Sequence, residues 1–147
     1  MKKSAGWIAL AVFAADRAAK VCWDRIPRGG ITLIPGVIGL YPARNTGMAF
    51  SLLSGRPWLL GILSLIVIAG AFLFLRGKQI SGLAGTGLMM MLGGAAGNMA
   101  DRFLTGSVPD MIEFLFVRFA VFNGADACLV VGCLLVMVDL FRRDQNG

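Results

Sequence analysis

PWLLGILSLIVIAGAFLFL, Pro57 to Leu75, carries no charged residue. A helix needs about 20 apolar residues to cross the hydrocarbon core of a bilayer, and this run supplies them. Three further stretches of similar length stand around it. Ile80 to Ala100 is also uncharged. Gly6 to Trp23 is interrupted by Asp16, Arg17 and Lys20. Phe119 to Leu140 carries Asp126 near its start and Asp139 near its end. Lipid offers the backbone no hydrogen-bond partner, so each stretch is expected to be helical. The expected fold is an all-α membrane protein, a single polytopic domain over residues 1–147. Its four transmembrane helices are expected at about 6–23, 57–75, 80–100 and 119–140.

Composition points the same way. Of the 147 residues, 57% are hydrophobic, and the mean hydropathy is +0.77. Soluble domains are about 45–50% apolar even with glycine counted. The net charge is +6. The basic residues fall mostly between apolar runs and form no stripe, which favours anionic lipid headgroups over nucleic acid as partners. Lys2 and Lys3 precede an apolar run in the manner of a signal peptide. The small-residue cleavage pattern is poor, however, so the first stretch is expected to be a retained span.

Charge also orients the chain. Lys2, Lys3, Arg76, Lys78, Arg142 and Arg143 crowd into very short segments on one side of four spans. Arg25, Arg28, Arg44, Arg56, Arg102 and Arg118 are spread through longer segments on the other. The density places both termini in the cytoplasm. The long connection from Asp24 to Arg56 is then extracytoplasmic. Within it, Ile31–Ile34 and Val37–Leu40 are β-branched runs around Pro35-Gly36 and are expected to form a small β-element.

The chain contains no histidine. That excludes Ser-His-Asp and Cys-His catalysis and makes a zinc site untenable. Cys22, Cys128 and Cys133 lack metal-ligand spacing and are expected to be packing residues. No metal or cofactor is expected. Hydrolytic chemistry is left to carboxylates, lysine or hydroxyls.

Charges in a bilayer are costly and persist where they are paired or functional. Asp16 and Lys20, at i and i+4, share a helix face and can neutralise one another. Arg44-Asn45-Thr46-Gly47 suggests a tight turn whose Asn45 amide or backbone could hold a substrate or a carboxylate. Gly93 and Gly97 form a small-residue face for close helix approach, while Asn98 and Arg102 share a face at the outer end of that span. Asp110 lies just outside the third span. Asp126 lies a turn or two inside the fourth, with Asn123 at i−3 and no lysine or arginine at i±3 or i±4. Two such carboxylates can share one proton, because like charges a few Å apart resist double ionisation. One then activates water while the other polarises a peptide carbonyl. Three other readings stay open on the residues alone. They are a small transporter lined by Asp16, Lys20 and Asp126, a Ser–Lys peptidase using Lys20 with Ser51, and a non-catalytic assembly factor.

Taken in order, five segments resemble the lipoprotein signal peptidase, or signal peptidase II, family. Asp16 to Lys20 resembles D-Q-x-x-K, and Asn45 to Phe50 resembles N-x-G-x-A-F. Gly93 to Arg102 resembles G-G-A-x-G-N-x-x-D-R. Val108 to Asp110 resembles V-x-D-F, and Phe122 to Asp126 resembles F-N-x-A-D. The resemblance covers nearly the whole chain. It implies an aspartic endopeptidase with Asp110 and Asp126 as the catalytic pair. Asp16, Lys20, Asn45, Gly47, Asn98, Asp101, Arg102, Asn123 and Ala125 are implied as substrate-binding or supporting positions. A monomer in the bacterial cytoplasmic membrane is expected, and the charge-based orientation puts its site near the outer face. The implied substrate is a diacylglyceryl-modified prolipoprotein, cut on the amino side of the lipidated cysteine. Two positions depart from the pattern: Arg17 stands where Gln is usual, and Met111 where Phe is usual.

Overall fold

A computed structural model describes residues 6–47, 53–77 and 82–145. Lys2, Lys3, Ala49, Phe50, Ser51, Lys78 and Ile80 lie outside the described residues. Among the described residues, four helices and three strands occur in the order α1 (Gly6–Val21), β1 (Ile31–Ile34), β2 (Ile38–Asn45), α2 (Pro57–Leu75), α3 (Gly82–Thr105), β3 (Val108–Phe114) and α4 (Gly124–Asp144). A single 3-10 turn, Trp23–Arg25, closes α1.

α2 and α4 are long and apolar enough to cross a bilayer, with mean hydropathies of 2.6 and 2.1 over their best windows. Their side chains are bare: Ile66, Val67, Leu73, Val130 and Leu140 are all at least 60% exposed. In water that surface would drive aggregation; against lipid it is the ordinary outer face of a bundle.

α3 is the centre of the bundle and touches α1, α2 and α4. Glycine makes those contacts possible. A Cβ at Gly93 would lie 2.5 Å from the Ala9 carbonyl oxygen of α1, and one at Gly94 would lie 2.6 Å from the Ala125 carbonyl oxygen of α4. Gly87 and Gly132 face one another where α3 crosses α4. Backbones this close gain dispersion energy that lipid-facing side chains cannot supply.

The predicted β-element is present as β1 and β2, but the sheet is larger than expected. β3, from the far side of α3, pairs antiparallel with β2 and gives the order β1-β2-β3. The segment around Asp110 is therefore a strand and not an irregular connection. Between the pairs Leu40↔Ile112 and Ala43↔Asp110 the register shifts, with one extra residue on β2. Such a bulge bends the strand and re-aims the side chains beyond it. Helix α4 also begins later than expected, at Gly124. Phe119–Asn123 is not helical, and Phe122 bridges Ile112. Asp126 consequently sits in the first turn of α4 and not a turn or two inside it.

Candidate active site

Asp110 is held by β3. Val108 and Asp110 alternate onto the buried face of the sheet, 1% and 2% exposed. Asn45 pairs with Val108 across the strands, so its side chain is the diagonal neighbour of Asp110 on the same face. Its Nδ2 donates to Asp110 Oδ2 at 3.0 Å. Its Oδ1 accepts from the Gly47 backbone N–H at 2.9 Å, which fixes the amide's orientation. From the end of α1, the Trp23 indole donates to the Asp110 main-chain carbonyl at 2.9 Å, and Arg44 stacks over that indole at 4.5 Å.

Asp126 is held by the start of α4. Asn123 is the N-cap and Asp126 stands at N3, and the two form a capping box. Asn123 Oδ1 accepts from the Asp126 N–H at 3.0 Å, and the Asn123 N–H donates to Asp126 Oδ2 at 3.2 Å. Each satisfies a backbone donor that the helix leaves open. Asn123 is fully buried and also joins the two carboxylates. Its Nδ2 donates to Asp110 Oδ1 at 2.6 Å and to Asn98 Oδ1 at 3.2 Å. Asn98, on α3, donates from Nδ2 to Asp126 Oδ1 at 2.7 Å. Every oxygen of Asp110 and Asp126 thus receives a hydrogen bond from a neutral donor. Among the described residues, neither carboxylate has an ion-pair partner within 4.0 Å.

The cations stand one shell further out. Lys20 Nζ donates to Asp16 Oδ2 (2.9 Å), Asn98 Oδ1 (2.9 Å) and Asp101 Oδ2 (2.7 Å). Those contacts take up all three donor positions of the side chain, so Lys20 is committed to the cluster, whereas a Ser–Lys peptidase needs it at a hydroxyl. Gly97 makes room for Asp16: a Cβ there would collide with the Asp16 carboxylate. Arg102 reaches the other way and donates to the carbonyls of Gly47 at 3.0 Å and Asn98 at 3.3 Å. Ala125 is fully buried, and its main chain lies against Gly94.

Asp110, Asp126, Asn45 and Arg102 share a cavity of about 720 Å³ whose other wall is apolar, formed by Phe114, Phe119, Phe122, Leu129 and Val130. Burial pushes the Asp110 carboxyl up to about 6, and the nearby Asp126 charge adds to the rise. The amides of Asn123 and Asn45 pull the other way. A carboxyl so placed keeps its proton up to about pH 6, well above the usual carboxylate range.

The residues expected at the site fall into one connected cluster. Asp110 and Asp126 face the cavity with Asn45 and Arg102. Asn98 and Asn123 hold the two carboxylates, and Asp16, Lys20 and Asp101 lie behind them. Gly47 and Ala125 contribute their backbones, the first to Arg102 and the second to the contact with Gly94. Trp23 is not among the residues expected at the site, and Arg44 is expected there only as the start of the Asn45 turn. An indole at the end of a span is the ordinary mark of a membrane interface, so nothing in the sequence ties Trp23 to Asp110.

The sequence profile of the family described as Signal peptidase (SPase) II matches residues 8–142. A lipoprotein signal peptidase from Gloeobacter violaceus is 39% identical over 145 residues, covering 95% of this chain and 83% of that protein. One from Geobacillus kaustophilus is 39% identical over 140 residues, covering 92% of this chain and 91% of that protein. Among solved structures, a bacterial membrane enzyme determined by the in meso method at 2.3 Å superposes with a TM-score of 0.89 at 27% identity. That match covers 99% of this chain and 92% of the other.

Proposed function

This chain belongs to the signal peptidase II family, and we propose that Asp110 and Asp126 form the pair with which it cuts its substrate. The enzyme is an aspartic peptidase of the membrane that removes signal peptides from prolipoproteins. The observation that carries the assignment of the pair is their shared setting. Two carboxylates at one cavity are tied together by Asn123 and given only neutral donors. Cations on both would fix both as anions. Amides leave the pair able to share a proton.

In the ground state one carboxyl is protonated and the other ionised. The ionised member takes a proton from a water as its oxygen attacks the scissile carbonyl. The protonated member donates to the carbonyl oxygen. Collapse of the tetrahedral intermediate breaks the C–N bond, and a carboxyl proton goes to the leaving nitrogen. The products are a peptide acid and a free α-amino group on the cysteine. Asn45, Asn98 and Asn123 hold both carboxylates in place throughout. The apolar wall of Phe114, Phe119, Phe122, Leu129 and Val130 continues onto the bare face of α4. It suits the acyl chains of a diacylglyceryl-cysteine entering sideways from the bilayer, with cleavage on that cysteine's amino side.

Four spans, in one domain and as a monomer, complete the reading. α1 and α3 end, and α2 and α4 begin, beside the polar cluster, which supports four alternating helices. Arg76, Arg142 and Arg143 stand at the opposite end. By charge density that end is cytoplasmic and the site lies near the outer face. Purified protein is expected to cleave a diacylglyceryl-modified prolipoprotein and to leave its unlipidated counterpart nearly uncut. Equal cleavage of both would refute the role of the apolar wall. Near-normal cleavage by Asp110→Asn or Asp126→Asn would refute the pair.

A further inference from the structure

The Arg17 guanidinium joins the buried ion cluster beside the proposed pair. Its Nη1 lies 2.6 Å from Asp101 Oδ1 and its Nη2 lies 3.1 Å from Asp16 Oδ2. Lys20 takes the same Asp16 oxygen at 2.9 Å and the other Asp101 oxygen at 2.7 Å. The Asp16 and Asp101 side chains are only 2% and 4% exposed. Two carboxylates therefore meet two cations, and the cluster is neutral. With glutamine at position 17, one cation would face two buried carboxylates, leaving a net charge of −1. An unbalanced buried charge is unfavourable and acts strongly on its neighbours.

The third Lys20 donor goes to Asn98 Oδ1. That bond sets which end of the Asn98 amide faces Lys20, and hence turns Nδ2 toward Asp126. We infer that Arg17 is a positioning residue of the site. It supplies the countercharge that keeps the Asp16–Lys20–Asp101 cluster neutral, and it leaves Lys20 a hydrogen bond with which to orient Asn98 toward Asp126. The inference rests on the catalytic pair proposed above. Among the described residues, the charged and titratable groups facing the cluster are Asp16 and Lys20 on α1, and Asp101 and Arg102 on α3. Asp110 on β3, with Asp126 and Cys128 on α4, completes the set.

The test is a charge ladder read in the pH–rate profile of the detergent-solubilised enzyme. Wild type has a neutral cluster, Arg17→Gln a charge of −1, and Asp101→Asn a charge of +1. The double variant is neutral again. A unit charge acting at roughly 10 Å through an effective dielectric of about 20 moves a titration by about one unit. The profile is expected to move up in pH by about that much in R17Q and down in D101N, and to return to the wild-type position in the double variant. Arg17→Lys, which keeps the charge, is expected to hold the wild-type position. In R17Q, kcat is expected to fall about tenfold with KM nearly unchanged, because Arg17 does not line the cavity. If R17Q does not fold, D101N against the double variant reads the same ladder from the other side. A folded R17Q with an unmoved profile, or a double variant that coincides with D101N, overturns the inference. Normal cleavage by Asp110→Asn would instead overturn the catalytic pair, so the two failures are distinct.

Discussion

Replacing Asn123 by serine keeps one of its two roles and removes the other. A serine hydroxyl still accepts from the N–H at N3, so the cap on α4 survives. It has no amide to reach Asp110 Oδ1, now 2.6 Å from Nδ2, or Asn98 Oδ1 at 3.2 Å. A hydrogen bond to a charged group contributes about 1.5–3 kcal/mol. At 1.36 kcal/mol per factor of ten, losing one that orients a reacting carboxylate lowers kcat about 10- to 150-fold. Alanine loses the same bond and the cap as well, which costs about 1 kcal/mol more. For a chain of this size that is a further drop in Tm of about 2–4 °C. The assay follows cleavage of a lipid-modified prolipoprotein by mobility shift, beside thermal unfolding of the same samples by circular dichroism. Asn123→Ser is expected to be slow yet more stable than Asn123→Ala. A serine variant with wild-type kcat would refute Asn123 as the tie between the two carboxylates. Equal melting of the two variants would refute the cap.

The same geometry carries two further expected outcomes. The Asp110 carboxyl, raised from 3.8 to about 6, binds its proton more tightly in the folded protein than in the unfolded chain. The stability this gives is full below the unfolded value and is lost as pH rises through about 6; wild type should therefore lose Tm between pH 4 and pH 7 more steeply than Asp110→Asn, and parallel curves would remove Asp110 as the source. Gly94→Ala sets a Cβ 2.6 Å from the Ala125 carbonyl oxygen and forces α4 away from α3. The expected cost is about 1–3 kcal/mol with at least a tenfold loss of kcat, and an unchanged Tm and rate would show that the helices have slack there.

The apolar runs marked out the helices well, because lipid-facing surface is written directly into hydropathy. The β1–β2 hairpin was equally legible from β-branched residues around Pro35-Gly36. β3 was hidden by its own side chains. Its inward positions are Val108 and Asp110, and an aspartate at a buried position breaks the alternation by which a strand is recognised. Pro109 breaks it further. The late start of α4 has a similar cause. Phe119 to Phe122 is as apolar as a span, yet it lines the cavity and bridges β3. Asn123 and Asp126 at cap spacing carried the true boundary, and hydropathy outweighed them. The carboxylates of the site stood out because charge is costly in a bilayer. Trp23 and Arg44 did not, since their contacts run through a backbone carbonyl and a ring face that only the tertiary fold brings together. Arg17 was visible as a departure, but its pairing with both Asp16 and Asp101 needed the packing of α1 on α3.

Asp110 and Asp126 are proposed to cut the prolipoprotein together. Mass spectrometry of the products from a purified, diacylglyceryl-modified prolipoprotein tests it most directly, with wild type, Asp110→Asn and Asp126→Asn compared at matched folded concentration. Wild type is expected to yield a fragment beginning at the lipidated cysteine, while both variants yield none above the enzyme-free background. Product at a near wild-type rate from either folded variant would refute the aspartate pair.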